Sequence, residues 1–192
     1  MESKLGTEQN DFSEKDFIEI IDKKEGQPRH TIFRKEKEAE AILKTFVSDL
    51  RLDFHGVLGS LPPEVQVINK KIREKMTICV ISYVGKMRGS RMGARLEIMK
   101  RISCGQVDFG ILVFNRAKKG DTNKNTFTEA GSKAWTNKLI GINGKALFID
   151  DGDDHIQSVE SLQLPNLRTI KLEKNIKLLK ILQDYYLNPF QS

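Results

Sequence analysis

Acidic side chains end two of the apolar runs in this chain, and acids in that position are the residues best suited to chemistry. Asp53 ends the first of these runs, and Asp150 and Asp151 end a later one. A carboxylate placed where a buried strand gives way to a loop can act as a nucleophile or as a metal ligand. Two adjacent acids there are costly unless a cation or a basic group meets them, and their hard oxygen atoms favour Mg²⁺.

The elements that must position these acids alternate between strand and helix patterns. Five short apolar runs predict strands at Leu50–Phe54, Thr77–Ser82, Phe109–Phe114, Ala146–Ile149 and Leu167–Leu172. The segments between and after them predict helices at Val65–Lys75, Gly93–Ile102, Lys133–Ile140, His155–Leu162 and Asn175–Tyr186. Apolar strands separated by helices are typical of a parallel sheet covered on both faces. The sequence therefore predicts a doubly wound, Rossmann-like α/β domain of about five strands.

The carboxyl ends of parallel strands lie along one edge of a sheet, where ligands bind. Asp53, Ser82, Asp150 and Asp151 each fall at the end of a predicted strand. We therefore expect these four side chains to form one shared site.

The first 48 residues have a different pattern, which predicts a helical N-terminal extension to an α/β domain that spans residues 49–192. After a polar tail over residues 1–12, Ser13 can cap a helix from Glu14 to Lys24. Thr31–Phe33 is either a short strand or an extended crossing, and a second helical pattern runs from Arg34 to about Phe46.

Length and composition indicate one soluble domain in a reducing compartment. A chain of 192 residues is long enough for a sizeable core. No apolar run approaches the roughly 18 residues of a membrane span, and the polar N-terminus gives no sign of a secretory signal. The two cysteines make neither a disulfide framework nor a zinc set. We therefore expect an intracellular, cytoplasmic protein.

The net charge of +6 is concentrated in one block of the chain. Residues 70–101, from Lys70 to Arg101, hold ten Lys or Arg residues against two acids. Such a block can attract nucleic acid or a phosphorylated protein, or it can be an ordinary solvated face. Both interpretations remain open at this point.

The first acidic stretch resembles a known motif. Its residues, Asp53-Phe54-His55-Gly56-Val57-Leu58, are similar to the first motif of the haloacid dehalogenase-like superfamily, Asp-x-Asp-Gly-[Thr/Val]-[Leu/Val], and the resemblance extends over residues 49–172. It implies that Asp53 attacks phosphorus to form an aspartyl-phosphate, with Mg²⁺ nearby. At the second aspartate position stands His55. The resemblance implies that its backbone carbonyl binds the metal, and an imidazole is able to act as the acid and base.

The remaining motifs of the superfamily have counterparts farther along the chain. By the resemblance, Ser82 is the second-motif hydroxyl that binds a phosphoryl oxygen, assisted by the backbone amide of Tyr83. Lys133 is the third-motif lysine, with Lys118, Lys119 and Lys124 as rivals. Asp151 would touch the metal, while Asp150 would bind it or orient Lys133. His155 would either support the metal or cap the following helix.

No cap domain is visible between the motifs, and capless members of the superfamily act on large substrates. The resemblance therefore implies a Mg²⁺-dependent phosphatase, a phosphoric monoester hydrolase, acting through an aspartyl-phosphate on a large phosphorylated substrate. Because His55 departs from the motif, an altered reaction of the same superfamily also fits. The alternative is a catalytically decayed binding protein that uses the basic block for nucleic acid or protein partners.

Overall fold

The computed structural model describes residues 17–22, 29–35, 47–84, 88–114, 128–142, 144–174 and 177–187. Within these ranges the strands are β1 (Phe17–Asp22), β2 (Arg29–Lys35), β3 (Leu50–Asp53), β4 (Ile78–Val84), β5 (Phe109–Phe114), β6 (Ala146–Asp150) and β7 (Leu167–Lys171). The helices are α1 (Lys70–Arg73), α2 (Arg88–Ser103), α3 (Glu129–Leu139), α4 (Asp153–Glu160) and α5 (Leu178–Leu187), with a 3₁₀ turn at Leu58–Ser60. None of these helices is long and apolar enough to cross a bilayer.

All seven strands form one mixed sheet in the order β1-β2-β5-β4-β3-β6-β7. The five strands from β5 to β7 in this order are parallel to one another. Strand β2 pairs antiparallel with both β1 and β5. The predicted α/β class and the five parallel strands are therefore confirmed, and the sheet gains two further strands, the antiparallel pair β1 and β2, at one edge.

The predicted elements of the α/β domain all occur, with shifted ends. The first helix is the largest change, because α1 covers only Lys70–Arg73 of the predicted Val65–Lys75. The Asn69 side chain accepts a hydrogen bond from the amide of Lys71 and so fixes the start of α1. Helix α3 begins at Glu129, four residues before the predicted start, so Lys133 lies in its second turn.

The N-terminal helix prediction is wrong where the structure describes it. Residues 17–22 form β1 and not part of a helix from Glu14 to Lys24. Their Phe-Ile-Glu-Ile-Ile sequence is rich in β-branched and aromatic residues, and pairing with β2 outweighed the helical spacing of the same apolar residues. Arg34 of the second predicted helix belongs to β2, and residues 36–46 and the predicted tail lie outside the described residues.

Apolar side chains cover both faces of the sheet. One face packs against α2 and α5, and its fully buried residues include Leu50, Leu52, Val80, Ile98 and Leu147. The other face packs against α3 and α4 and includes Cys79, Ile81, Ile111, Phe148 and Val159. This division follows the alternation of side chains along each strand, and it is what a doubly wound fold requires.

Strand β3 lies between β4 and β6, so the strand order reverses beside it. In open α/β sheets such a switch point leaves a crevice at the carboxyl ends of the two central strands. Asp53 ends β3 and Asp150 ends β6. The topology therefore brings the two acidic stretches of the sequence to the same crevice.

Candidate functional site

Asp53 is a buried carboxylate that makes an ion pair through one of its oxygens. Its side chain is 1% exposed, and its Oδ1 lies 2.9 Å from the Nζ of Lys133. Among the described residues, neither carboxylate oxygen has a hydrogen-bond partner, and the ion pair with Lys133 is made through Oδ1. Burial raises the pKa of Asp53 to about 7, Lys133 opposes this rise, and the charges of Asp150 and Asp151 add to it. A cation beside Oδ2 would compensate this arrangement.

Lys133 is the centre of the site. Its Nζ lies 2.9 Å from Asp53 Oδ1, 2.9 Å from Asp150 Oδ2 and 3.3 Å from Glu129 Oε1, and the side chain is 1% exposed. Burial lowers the pKa of Lys133, but the charges of Asp53 and Asp150 outweigh burial and hold the pKa above its ordinary value. The amine is therefore a fixed positive charge between two carboxylates from neighbouring strands.

Asp150 has donors on both carboxylate oxygens. Oδ2 accepts from Lys133, and Oδ1 accepts from the backbone amide of Gly152 at 2.9 Å and lies 2.8 Å from Nδ1 of His155. Burial raises the pKa of Asp150, but the hydrogen bonds from His155 and Lys133 hold it below its ordinary value. This residue is therefore held ionised and oriented by its neighbours.

His155 lies in the first turn of α4 and is part of this network. Its Nδ1 is 2.8 Å from Asp150 Oδ1 and 2.9 Å from Lys133 Nζ, and one ring nitrogen cannot donate to the first and accept from the second. Since the carboxylate of Asp150 is ionised and can only accept, we place the proton on Nδ1, donating to Asp150. The hydrogen bond to Asp150 raises the pKa of His155, against burial and Lys133. His155 thus orients Asp150, a role beyond helix capping.

Asp151 completes a group of three acids. One carboxylate oxygen from each of Asp53, Asp150 and Asp151 lies within 4.8 Å of the others, with Asp151 exposed to solvent. Gly56 makes room for Asp151, because a Cβ there would be 2.1 Å from Asp151 Oδ2. Gly56 also has a φ of +77°, which L residues rarely adopt. The turn after β3 and the acidic pair after β6 are therefore in direct contact.

Arg51 anchors the helix that carries Lys133, and the sequence analysis missed it. The side chain is fully buried and donates to the backbone oxygens of Asn137, Ile140 and Gly141 at 2.8, 3.0 and 3.0 Å. These carbonyls lie at the end of α3, where acceptors lack helical partners. Arg51 and Asp53 are two residues apart and share a face of β3. Arg51 therefore binds the C-terminal end of α3, while Asp53 forms an ion pair with Lys133 of the same helix. An arginine inside an apolar strand was the available signal.

The loop after β3 is held by a second buried arginine. Arg101 of α2 lies over the ring of Phe54, 5.3 Å from its centroid, and donates to Gln106 at 2.6 Å. Gln106 in turn donates to the carbonyls of Pro62 and Val65. Arg101 therefore supports the loop that carries His55 and is not a surface charge of the basic block.

His55 is exposed, and its ring is edge-on to Phe54 at 5.1 Å. Its ring nitrogens are not among the ligand atoms of the acidic group. The exposure leaves the imidazole accessible at the edge of the crevice. The predicted roles of His55, acid and base through its ring and metal ligand through its carbonyl, stay predictions.

Ser82 and Tyr83 lie on opposite faces of β4. The prediction that Ser82 ends its strand is wrong, because β4 continues to Val84. Asp53 pairs with Ile81, so alternation places Ser82 on the face opposite Asp53, and its fully buried hydroxyl has no hydrogen-bond partner among the described residues. Half-buried Tyr83 lies on the face that Asp53 occupies, packed against the α3–α4 side of the core. Phosphoryl binding by either residue stays a prediction.

The other lysines considered for the third motif, Lys118, Lys119 and Lys124, lie outside the described residues. The described side chains of the basic block include two groups. Arg73 and Arg101 are bonded internally, Arg73 through an ion pair with Asp108 at 2.8 Å. The side chains exposed to solvent include Lys70, Lys71, Lys75 and Lys100.

Comparisons with known proteins add no family to this geometry. No family model matches the chain, and neither the curated proteins nor the solved structures contain a match. The site is therefore defined by its own residues: a buried acidic group able to hold a metal ion, bridged by a buried lysine, at the switch point of a mostly parallel α/β sheet.

Proposed function

We propose that this protein is a Mg²⁺-dependent phosphohydrolase of the haloacid dehalogenase-like type, in which Asp53 is the nucleophile. The observation that carries the proposal is the placement of Lys133 Nζ, 2.9 Å from Asp53 and 2.9 Å from Asp150, beside the third acid, Asp151. Four residues from three separate stretches of the sequence thus supply a nucleophile, a fixed positive charge and metal-binding oxygens.

The chemistry of these residues suits a magnesium ion, and their contacts favour a different role for each of them. Asp53 Oδ2 is buried without a hydrogen bond, and Asp151 has an exposed carboxylate seated against Gly56. Both oxygens of Asp150 already accept hydrogen bonds. We therefore assign Asp53 and Asp151 as the principal ligands and Asp150 as the residue that orients Lys133. When bound, the ion supplies positive charge that offsets the repulsion between the phosphoryl oxygens and the carboxylates.

Asp53 performs the covalent step in this proposal. One carboxylate oxygen forms a bond to phosphorus as the bond to the leaving oxygen breaks, which gives an aspartyl-phosphate and an alcohol or phenol. Lys133 holds its charge beside Asp53 throughout, which favours the ionised nucleophile and binds the transferred group. Water then cleaves the acyl phosphate to return the carboxylate and release inorganic phosphate.

His55 is the residue proposed to protonate the leaving oxygen and later to accept a proton from water. Its exposed position on the turn between Asp53 and Gly56 gives access to a substrate that enters from solvent. An open crevice also suits a large phosphorylated substrate, which covers the site with its own surface.

The first test measures ligand binding and does not depend on the substrate. Mg²⁺ together with BeF₃⁻, a phosphoryl mimic, should raise the unfolding midpoint of the full chain. Asp53→Asn should abolish this shift, because BeF₃⁻ bonds to the ionised carboxylate. Asp154→Asn is the matched control, since Asp154 is a nearby exposed acid outside the acidic group. A shift that persists in Asp53→Asn would contradict the assignment of the nucleophile.

A second test separates a working enzyme from a decayed one. Hydrolysis of an aryl phosphate should require Mg²⁺ and should disappear in Asp53→Asn. His55→Asp restores the usual acid of the motif. Activity lost in this variant identifies a working histidine, whereas activity gained only in this variant means that the natural chain is a binding protein.

A further inference from the structure

Glu129 places an extra carboxylate at the solvent side of the site. It is the first residue of α3, one turn before Lys133, and its side chain is 40% exposed, whereas Lys133 and Asp53 are each 1% exposed. Its Oε1 is 3.3 Å from Lys133 Nζ and 3.9 Å from His155 Nε2. The carboxylate therefore covers the buried amine on the side from which a ligand would enter.

Three carboxylates surround the ammonium of Lys133. Oxygens of Asp53, Asp150 and Glu129 lie 2.9, 2.9 and 3.3 Å from Nζ, so the ammonium has as many carboxylate neighbours as it has N–H groups. An incoming phosphoryl oxygen reaches Lys133 by displacing one of these carboxylates. Asp53 and Asp150 are fixed at strand ends, while Glu129 is the most exposed of the three and makes the longest contact. Glu129 is therefore the acceptor that is displaced at least cost.

We infer that the Glu129 carboxylate occupies on Lys133 the position that an oxygen of inorganic phosphate or of a phosphoryl group takes, and so competes with these anions for the site. The inference rests on the proposed function and adds its regulation. Inorganic phosphate is the product of the proposed reaction, and it has only the contacts of its own oxygens to offset the displacement of Glu129. A large phosphorylated substrate brings further contacts that offset the same displacement. Glu129 thus lowers the affinity for both anions by a similar factor, and only the large substrate has other contacts that keep its own binding tight.

The test is the affinity of the full chain for inorganic phosphate in the presence of Mg²⁺, measured by titration calorimetry. Glu129→Gln removes the charge, and Glu129→Asp keeps the charge but shortens the side chain by one methylene, so that it no longer reaches Lys133. We expect both variants to bind phosphate more tightly, by roughly three- to tenfold for Glu129→Gln. Two variants of different chemistry guard against a fold defect in one of them.

Asp154→Asn is the matched control for net charge. Asp154 is 77% exposed, lies 3.7 Å from His155 Nε2 and forms no ion pair with Lys133. Its removal should change phosphate affinity by less than about twofold, because solvent and salt screen an exposed charge. Equal tightening in Asp154→Asn and Glu129→Gln would overturn the inference, since charge alone would then explain the effect.

Two further outcomes distinguish this inference from the function on which it rests. If the natural chain and Glu129→Gln bind phosphate with the same affinity, Glu129 is not a competitor, and the proposed function is unaffected. If neither protein binds phosphate or BeF₃⁻ with Mg²⁺, the proposed function fails and this inference fails with it.

Discussion

At the scale of single residues, the site stores unfavourable charge that a ligand can relieve. Asp53 is buried, neither of its oxygens has a hydrogen-bond partner among the described residues, and two further acids lie beside it. Lys133 offsets only part of this cost, and the pKa of Asp53 stays raised. Functional sites commonly carry such local destabilisation.

We predict that Asp53→Asn stabilises the metal-free fold. The pKa of Asp53 is raised by folding, so its contribution to stability is complete below its ordinary pKa of 3.8 and is lost as the pH rises through about 7. A neutral amide avoids this loss and should raise the free energy of unfolding at pH 8 by about 2 kcal/mol in EDTA. Urea denaturation at pH 5 and pH 8 measures the difference, which should grow with pH.

Asp49→Asn is the control for that experiment. The Asp49 carboxylate accepts a hydrogen bond from the amide of Thr77 at 2.8 Å, and this hydrogen bond stabilises the carboxylate in the folded protein. We expect no gain in stability from this change. A similar gain in both variants would mean that general charge reduction, and not the burial of Asp53, is responsible.

Gly56→Ala tests the contact between the turn and the acidic pair. A Cβ at Gly56 would collide with Asp151, and the φ of +77° adds backbone strain. Gly144→Ala shares the strain, with a φ of +87°, but its Cβ would meet nothing within 4 Å. Both variants should lose about 1 kcal/mol of stability.

Only Gly56→Ala should also weaken Mg²⁺ binding, by about tenfold or more in calorimetry, because Asp151 must move. Equal Mg²⁺ affinity in the two variants would exclude Asp151 as a ligand.

At the scale of elements, strand β3 fixes helix α3 at two points. Asp53 holds Lys133 in the second turn of α3, and Arg51 binds the carbonyls at the end of α3. A positive charge at a helix C-terminus is favourable, and here it also satisfies buried acceptors. The distance between nucleophile and lysine therefore depends on two side chains of one strand.

We predict that Arg51→Met destabilises the fold by about 3 kcal/mol, because buried carbonyls of α3 lose their donors. Arg168→Met is the control, since Arg168 is exposed and lies over the Tyr185 ring at 5.5 Å. That change should cost less than about 1 kcal/mol. Chemical denaturation of the two variants measures both values. Similar losses would show that Arg51 is not an anchor of α3.

At the scale of the whole molecule, the centre of the sheet is shielded from solvent, and this burial favours the neutral form of the Cys79 thiol. Burial raises the pKa of Cys79 from 9.0 to about 11, with Arg51 and Ser48 opposing the rise. Because the folded pKa lies above the unfolded one, the stability due to the neutral thiol is complete below pH 9 and is lost as the pH rises through 11.

We therefore predict a loss of up to about 3 kcal/mol of stability between pH 9 and pH 11 that depends on Cys79. Cys79→Ala should be less stable at pH 8, because of the small cavity it leaves, and should lose less stability over that interval. The measurement is the pH dependence of urea denaturation under reducing conditions. Parallel curves for the two proteins would refute the burial of the thiol as the cause.

The fold also decides which charges of the basic block reach the surface. The block from Lys70 to Arg101 is continuous in sequence, but α1, β4 and α2 distribute its members between the surface and the interior. Arg101 supports the loop after β3, and Arg73 is paired with Asp108. If the remaining exposed lysines bind nucleic acid, they will contact phosphates, and the binding will weaken steeply with salt.

The strands of the α/β domain were predictable because apolar runs of four to six residues specify buried parallel strands. The N-terminal residues 17–22 were not, because their apolar spacing suits a helix as well as a strand, and only pairing with β2 decides between the two. The position of Ser82 at the end of its strand was mispredicted for a similar reason. Its side-chain direction depends on register with β3, which a single run of sequence does not contain.

The sequence by itself determined the fold class and the acids at the ends of β3 and β6, because hydrophobic burial and the alternation of elements are local properties of the chain. The tertiary structure alone decided that Arg51 binds the end of α3, that His155 orients Asp150, and that Glu129 forms an ion pair with the same lysine, Lys133, as two buried acids. These contacts join residues from separate elements. Their distances follow from strand order and helix packing, which no single stretch of sequence encodes.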